Sequence, residues 1–260
     1  MIKLFVTDLD GTLLNDQKKV NENDRMALQK LQRLGVRCCL ASGRLRFEML
    51  RVAEYVGGRF DLICQNGAHV ETAEGHILAQ SRFEANLARA LYSALDASDA
   101  LLVACLPEED LIKERTPRAL AVEQRLFTAY KTVPDLKERI GHDLLPSKFS
   151  IFGDLSVLKE LQQQLSGQFS QRITTYVSAI DCLDVMPAEV SKGSALEVLM
   201  RTLQLNEDEV ACVGDSYNDV SMFSVAKHSF AMHHGDQGVR EQARHVTYSI
   251  ADAVEHITLR

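Results

Sequence analysis

The 260-residue sequence lacks several features that would assign it to a special class of protein. It has no apolar run long enough to cross a bilayer and no segment that resembles a signal peptide, so we expect a cytoplasmic protein without membrane contact. It has no excess of basic residues, since its net charge is −7, and this argues against non-specific binding to nucleic acid. Internal repeats, low-complexity tracts and long linkers are also missing.

The cysteines form no Cys-x-x-Cys pair, although there are six of them. Most lie within apolar runs, which favours small buried hydrophobic residues in a reducing cytosol over a disulfide or zinc set. The remaining composition, 46% hydrophobic and 25% charged, is that of an ordinary globular protein. The chain is long enough for one large domain or two modest ones.

The first third of the sequence alternates short apolar strands with amphipathic helices. Strands are predicted at 2–7, 36–41 and 61–64, helices at 20–34 and 44–56, and a hairpin at 70–79. The same alternation returns from residue 191 onward, with helices predicted at 191–203 and 219–225 and strands at 210–213 and 229–232. This pattern is typical of a parallel sheet covered on both faces, and it predicts an α/β fold with a Rossmann-like core.

The segment between these two parts mixes strands and helices without that alternation. Helices are predicted at 84–95 and 155–165, and strands at 101–106, 148–152, 172–177 and 182–185. The charged stretch 107–115 is interpreted as a solvated face. We therefore predict a discontinuous core over 1–81 and 188–260, interrupted by an inserted α+β domain over 82–187.

Asp8 and Asp10 directly follow the first apolar strand. An unpaired carboxylate in the middle of a buried strand is very costly, so both side chains are expected at the strand's end. Two carboxylates there suit a divalent cation, or a nucleophile paired with a general acid/base. The alternative is a turn with a capping aspartate.

Three other predicted strands end in polar or flexible residues: Ser42-Gly43-Arg44, Gln65-Asn66-Gly67 and the segment 214–219. In a parallel sheet these ends meet at one edge, where open α/β folds bind ligands. Ser42 before a helix suits a bound anion or simple N-capping.

Two further residues extend this edge. Asp215 and its neighbours offer oxygen ligands for magnesium, or else cap a turn. Lys192, at a helix start where the dipole disfavours a cation, is either solvated or neutralises an anion.

Taken in order, five motifs resemble those of the haloacid dehalogenase superfamily, specifically its Cof-type phosphatases with the large α/β (C2B-type) cap. These motifs are Asp8–Leu14, Ser42-Gly43-Arg44, Asn66-Gly67-Ala68, Ser191-Lys192-Gly193 and Gly214–Asp219. The resemblance covers nearly the whole chain. It implies that the inserted segment is a cap that closes over the leaving group.

The resemblance also implies a role for each matching residue. Asp8 would attack phosphorus to form an aspartyl-phosphate, and Asp10 would serve as general acid and then base. Ser42 would bind the phosphoryl oxygens and Lys192 would neutralise them. Substrate contacts are expected from Ser42, Gly43, Arg44, Asn66, Lys192 and Asn218. Mg²⁺ is expected on Asp8, Asp10 (through its backbone carbonyl) and Asp215, with Asn218 or Asp219 in support.

The sequence thus predicts a magnesium-dependent phosphatase of small phosphorylated metabolites, either sugar phosphates or a phosphorylated cofactor, that works as a monomer or small homo-oligomer. A phosphomutase and a non-catalytic phosphometabolite sensor are the alternatives. The chain departs from the family pattern at His233-His234, where relatives usually have Gly-Asn. These histidines are interpreted as ordinary loop residues rather than substrate contacts.

Overall fold

The structure is a computed structural model that describes residues 1–258. Its strands are β1 (Leu4–Thr7), β2 (Arg37–Ala41), β3 (Phe60–Cys64), β4 (His69–Glu71), β5 (Ile77–Gln80), β6 (Leu101–Cys105), β7 (Asp110–Ile112), β8 (Lys131–Thr132), β9 (Lys148–Phe152), β10 (Ile173–Ala179), β11 (Cys182–Pro187), β12 (Val210–Gly214), β13 (His228–Met232) and β14 (His245–Thr247). Its α-helices are α1 (Glu22–Arg33), α2 (Arg46–Val56), α3 (Ala85–Leu95), α4 (Pro117–Leu126), α5 (Leu136–Arg139), α6 (Leu155–Gln168), α7 (Lys192–Leu203), α8 (Val220–Phe223), α9 (Gln237–Arg240) and α10 (Ile250–Thr258).

The chain forms two compact units. The first, called the core unit below, consists of Met1–Gln80 and the part of the chain that begins at Ser191. The second, called the inserted unit, is Ser81–Val190. The predicted core ended at residue 260, which lies outside the described residues. The functional division into catalytic core and cap remains a prediction.

The core unit contains an eight-stranded sheet in the order β14-β13-β12-β1-β2-β3-β4-β5. The strands from β14 to β3 are parallel, whereas β4 and β5 form the antiparallel hairpin predicted from the sequence. One face packs against α1, α2 and α10, and the other packs against α7 and α8. Because both faces are covered, β1, β2 and β12 are apolar at nearly every position. The predicted α/β class and parallel-sheet core are confirmed.

The inserted unit contains a six-stranded sheet in the order β10-β11-β9-β6-β7-β8. Its pairs are antiparallel except β7 with β8. Helices α3, α5 and α6 cover one face through a cluster that includes Phe149, Ile151 and Leu183. Helix α4 packs on the other face against Val103 and Phe152. The mixture of strands and helices agrees with the predicted α+β composition.

Seven elements were missed from the sequence: β7, β8, β14, α4, α5, α9 and α10. Helix α4 carries recognisable start signals, since Thr116 accepts a bond from the Ala119 N–H and Pro117 stands in the first turn. Its buried positions, Ala119 and Val122, are small, which weakens the periodic signal.

All six cysteines are buried free thiols, as expected. None of the helices formed by residues 1–258 combines the length and apolar character needed to cross a lipid bilayer.

Candidate active site

Four strand ends of the core unit meet at one edge of its sheet. Strands β12, β1, β2 and β3 are neighbours in that order and run parallel, so their carboxyl ends lie side by side. Asp215 follows β12 directly, Asp8 follows β1, Ser42 follows β2 and Gln65 follows β3. The sheet therefore brings the polar segments identified in the sequence to one place.

Lys192 lies at the centre of this edge with no exposed surface. It is the first residue of α7, whose N-cap, Ser191, accepts a bond from the Ser194 N–H at 3.0 Å. The Lys192 Nζ donates to Asp8 Oδ1 and to Asp219 Oδ1, each at 2.6 Å. Burial alone would lower the pKa of Lys192, but the two carboxylates outweigh it and raise the pKa above its ordinary value. The lysine is therefore charged.

Three carboxylates surround that one cation. Asp8, Asp215 and Asp219 each offer an oxygen, and these oxygens lie within 4.8 Å of one another. The Thr12 hydroxyl donates to Asp215 Oδ1 at 3.0 Å. Gly11 permits this approach because its φ is +87° and a Cβ there would lie 2.5 Å from Asp215 Oδ2. The cluster thus carries more negative than positive charge.

One oxygen of this cluster has no hydrogen-bond partner. Among residues 1–258, Asp8 Oδ2 is buried and receives no hydrogen bond. A buried carboxylate oxygen without a partner is costly unless a ligand occupies it. Carboxylate oxygens in a buried acidic cluster are the donors that hard divalent cations prefer. The residues present therefore fit Mg²⁺.

The titration behaviour of the cluster agrees with an excess of negative charge. Burial raises the pKa of Asp8 well above its ordinary value; Lys192 lowers it, and the carboxylates of Asp219 and Asp215 raise it further. Burial, together with the charge of Asp219, raises the pKa of Asp215 to about 6. A bound divalent cation would remove this electrostatic penalty.

Asp219 and Asn218 occupy different positions around the cluster. Asp219 Oδ2 accepts bonds from the N–H groups of Asp215 and Ser216, at 2.9 and 3.0 Å, and its Oδ1 accepts the lysine contact. Asp219 therefore holds the loop and the lysine. The Asn218 Nδ2 donates to Asn66 Oδ1 at 3.0 Å, while its Oδ1 is buried and receives no bond from the described residues. Asn218 thus has an oxygen available to a ligand.

The Asp10 carboxylate contacts a different pair of cations, Arg44 and Lys18. The Arg44 guanidinium donates through Nε to Asp10 Oδ2 at 2.6 Å and through Nη2 to Oδ1 at 2.7 Å. The Lys18 ammonium donates to Oδ1 at 2.6 Å. Burial would raise the pKa of Asp10, but these two cations outweigh it and lower the pKa to about 2. Lys18 was not among the predicted site residues.

Comparison with known proteins identifies the family. Residues 5–256 match the family described as haloacid dehalogenase-like hydrolase. The chain belongs to this family. The HMP-PP phosphatase of Cronobacter sakazakii is 28% identical over 228 residues, which cover 87% of this chain and 82% of that protein. The resemblance to Cof-type phosphatases of the haloacid dehalogenase superfamily is confirmed, and with it the prediction of a phosphoric monoester hydrolase.

Solved structures agree with this assignment. A protein from Thermotoga maritima superposes with a TM-score of 0.84 at 26% identity, covering 98% of this chain and 97% of that one. A haloacid dehalogenase-like hydrolase from B. subtilis superposes with a TM-score of 0.90 at 23% identity, covering 98% and 100%. The second likeness concerns the fold alone.

In this haloacid dehalogenase-like hydrolase, Ser42 does not cap the following helix. The predicted helix began at residue 44, but α2 begins at Arg46 with Leu45 as its N-cap, and the Glu48 carboxylate accepts a bond from the Leu45 N–H. The N-capping interpretation of Ser42 was wrong because the chain bends at Gly43 and Arg44 before the helix begins. The buried Ser42 hydroxyl instead accepts a bond from the Arg44 N–H at 3.3 Å.

The two histidines that depart from the family pattern are both exposed. The His234 ring lies with Nε2 2.8 Å from the Gly11 carbonyl oxygen, in the loop that follows Asp10. The His233 ring packs on that of Tyr248 with centroids 4.5 Å apart. His234 thus connects the β13–α9 loop to the first motif.

Proposed function

We propose that the protein hydrolyses phosphate monoesters of small metabolites in a Mg²⁺-dependent reaction that passes through an aspartyl-phosphate on Asp8. The observation that carries the proposal is the setting of Asp8: one oxygen is held by Lys192, and the other is buried without a partner beside Asp215. A carboxylate fixed in this way is a positioned nucleophile whose second oxygen is open to a ligand.

In the first step an Asp8 oxygen forms a bond to phosphorus. The bond between phosphorus and the leaving oxygen breaks, and its electron pair stays on that oxygen, which takes a proton from Asp10. In the second step Asp10 removes a proton from water, whose oxygen bonds to phosphorus. The Asp8–phosphorus linkage then breaks, and the carboxylate is restored as inorganic phosphate leaves.

Asp10 is ionised in the ligand-free protein because Arg44 and Lys18 surround it. That form is the one required for removing a proton from water. The acid role in the first step requires that a proton reach Asp10 when the ester binds. A phosphoryl group brings negative charge that competes for the two cations, and such competition favours the protonated carboxyl.

Neutralisation of the phosphoryl oxygens is the other requirement of phosphoryl transfer. We assign it to the Lys192 ammonium, with the Ser42 hydroxyl as a hydrogen-bonding partner. Mg²⁺ would be held by Asp8, by the Asp10 backbone carbonyl and by Asp215, with Asn218 or Asp219 in support. When bound, it would screen the repulsion between the Asp8 carboxylate and the anionic ester.

We assign substrate selection to residues 82–187, acting as a cap domain. The leaving group would be a sugar or a cofactor, and the name of one relative, HMP-PP phosphatase, supports a small phosphorylated substrate. Contacts from Gly43, Arg44, Asn66 and Asn218 would complete the site.

A panel of phosphate esters, assayed with and without Mg²⁺, tests the proposal. We expect several esters to release inorganic phosphate when Mg²⁺ is present and not when it is absent. Isomerised sugar phosphate in the products would indicate a phosphomutase instead. Binding of esters without any turnover would indicate a sensor and would overturn the proposal.

A further inference from the structure

The carboxylate of Asp10 is held at three points. Arg44 contacts both oxygens through Nε and Nη2, and Lys18 makes a second contact to Oδ1. Oδ1 therefore accepts from two cationic donors and Oδ2 from one. A carboxylate has about four acceptor positions, so an open position remains on Oδ2. The Asp10 side chain is 34% exposed, which leaves it accessible to a bound ester and to water.

A tight turn presents Lys18 to Asp10. The Asn15 side-chain oxygen accepts bonds from the N–H groups of Gln17 and Lys19, at 2.9 and 3.1 Å, and the Lys18 N–H donates to the Asn15 carbonyl. Lys18 has a φ of +57°, in the left-handed region that favours glycine. Its side chain is only 19% exposed, whereas the neighbouring Lys19 is exposed. The turn thus holds a strained lysine in contact with Asp10.

We propose that Lys18 is a positioning residue for proton transfer by Asp10; this proposal rests on the function proposed above. The two contacts from Arg44 define the plane of the carboxylate. The third, from Lys18 to Oδ1, prevents the side chain from rotating away. The proton that passes to the leaving oxygen is then carried on Oδ2, at a fixed place. Charge-assisted hydrogen bonds of this length are strong enough to restrict a partly exposed side chain.

This role predicts a dependence on the leaving group. The value of kcat/KM reports the steps up to release of the leaving group, so it includes the acid role of Asp10 but not its base role. Phenolate is a basic leaving group that needs a proton, whereas p-nitrophenolate departs without one. A variant that misplaces Asp10 should therefore lose activity on phenyl phosphate and keep it on p-nitrophenyl phosphate.

The test compares Lys18→Met with wild type on these two esters in the presence of Mg²⁺. We expect kcat/KM to fall about tenfold or more for phenyl phosphate and no more than about twofold for p-nitrophenyl phosphate. Lys18→Arg should restore most of the activity because it keeps a cation. Lys18→Gly relieves the positive φ and removes the cation, so it should behave like Lys18→Met. Lys19→Met is the matched control and should match wild type.

A double-mutant cycle separates positioning from a general structural role. In an Asp10→Asn background, Lys18→Met should cause no further loss on phenyl phosphate. Equal losses on both esters, or an undiminished effect in the Asp10→Asn background, would assign Lys18 a structural role only. An unchanged or raised kcat/KM on phenyl phosphate would also overturn the proposal. If wild type hydrolyses neither ester, nor any ester of the panel, the proposed function itself fails.

Discussion

Each unit of the protein buries a lysine against carboxylates, and the two settings differ. In the core unit, Lys192 contacts Asp8 and Asp219, while a third carboxylate lies within the same cluster. In the inserted unit, the Lys148 Nζ lies 3.2 Å from Asp184 Oδ1, and that oxygen also accepts a bond from the Ser150 hydroxyl at 2.6 Å. The first cluster has an excess of negative charge, whereas in the second a cation and a hydroxyl group both contact a single carboxylate.

The pKa values of the carboxylates move in opposite directions. Burial and neighbouring carboxylates raise the pKa of Asp8 even though Lys192 lowers it. Burial would also raise the pKa of Asp184, but Lys148 and two hydroxyl groups outweigh it, and the pKa lies below its ordinary value. Similar residue types therefore form a structural ion pair where charges and hydrogen bonds balance. Where one carboxylate oxygen is left without a partner, they form the cluster that we propose as the reactive site.

The largest expected effect comes from Asp8→Asn. An amide cannot attack phosphorus, so we expect turnover to fall by about 10⁴ or more. The substitution also removes one of three mutually repelling carboxylates, so the thermal midpoint should be equal to or higher than that of wild type. Phosphate release and thermal unfolding measure the two quantities. Exposed Asp16→Asn is the control, and persistent turnover in Asp8→Asn would falsify the assignment of the nucleophile.

Removal of the metal should have the next largest effect. Without a cation, the negative charge of Asp8, Asp215 and Asp219 is not compensated. We therefore expect EDTA to reduce turnover by more than about a hundredfold, and added Mg²⁺ to restore it. Mg²⁺ at about 100 times its Kd should also stabilise the folded protein by roughly 2.7 kcal/mol. Asp215→Asn should abolish that stabilisation. Full turnover in EDTA would contradict the proposed metal site.

The corresponding substitution in the inserted unit, Lys148→Met, should affect stability. It leaves the Asp184 carboxylate buried without its cation, which costs about 3 kcal/mol in the free energy of unfolding. Urea denaturation followed by far-UV circular dichroism measures this cost. Exposed Lys159→Met should stay within about 0.5 kcal/mol of wild type. A loss as small as that of the control would mean that the Lys148–Asp184 pair is not structural.

Much of the core site could be predicted from the sequence because its residues follow buried strands directly. Asp8 and Asp215 come immediately after apolar runs, and Lys192 begins a helix, so sheet topology alone brings them to one edge. What was missed depends on side-chain direction. The paired contact of Arg44 with Asp10 was not predicted, and the expected contact of Arg44 with the substrate stays a prediction. Lys18 lies in a turn, where no periodic pattern indicates which way a side chain points.

The Lys148–Asp184 pair was also invisible in the sequence. Lys148 and Asp184 stand 36 positions apart, within strands that otherwise read as apolar, and only the register of β9 against β11 brings them into contact. Single-sequence patterns locate strands, but register between strands far apart in the chain depends on packing of the whole sheet.

The smallest expected effect is the pH dependence of the inserted unit's stability. Because the pKa of Asp184 is lower in the folded protein than its unfolded value of about 3.9, its ion pair contributes fully above that pH. The contribution is lost as pH falls through the folded pKa. The free energy of unfolding of wild type should therefore fall more steeply below about pH 4 than that of Asp184→Asn, which binds no proton there. Urea titrations at a series of pH values compare the slopes. Parallel curves would show that the pair does not hold Asp184 in its charged form, and the contrast with the core cluster would then lose its electrostatic basis.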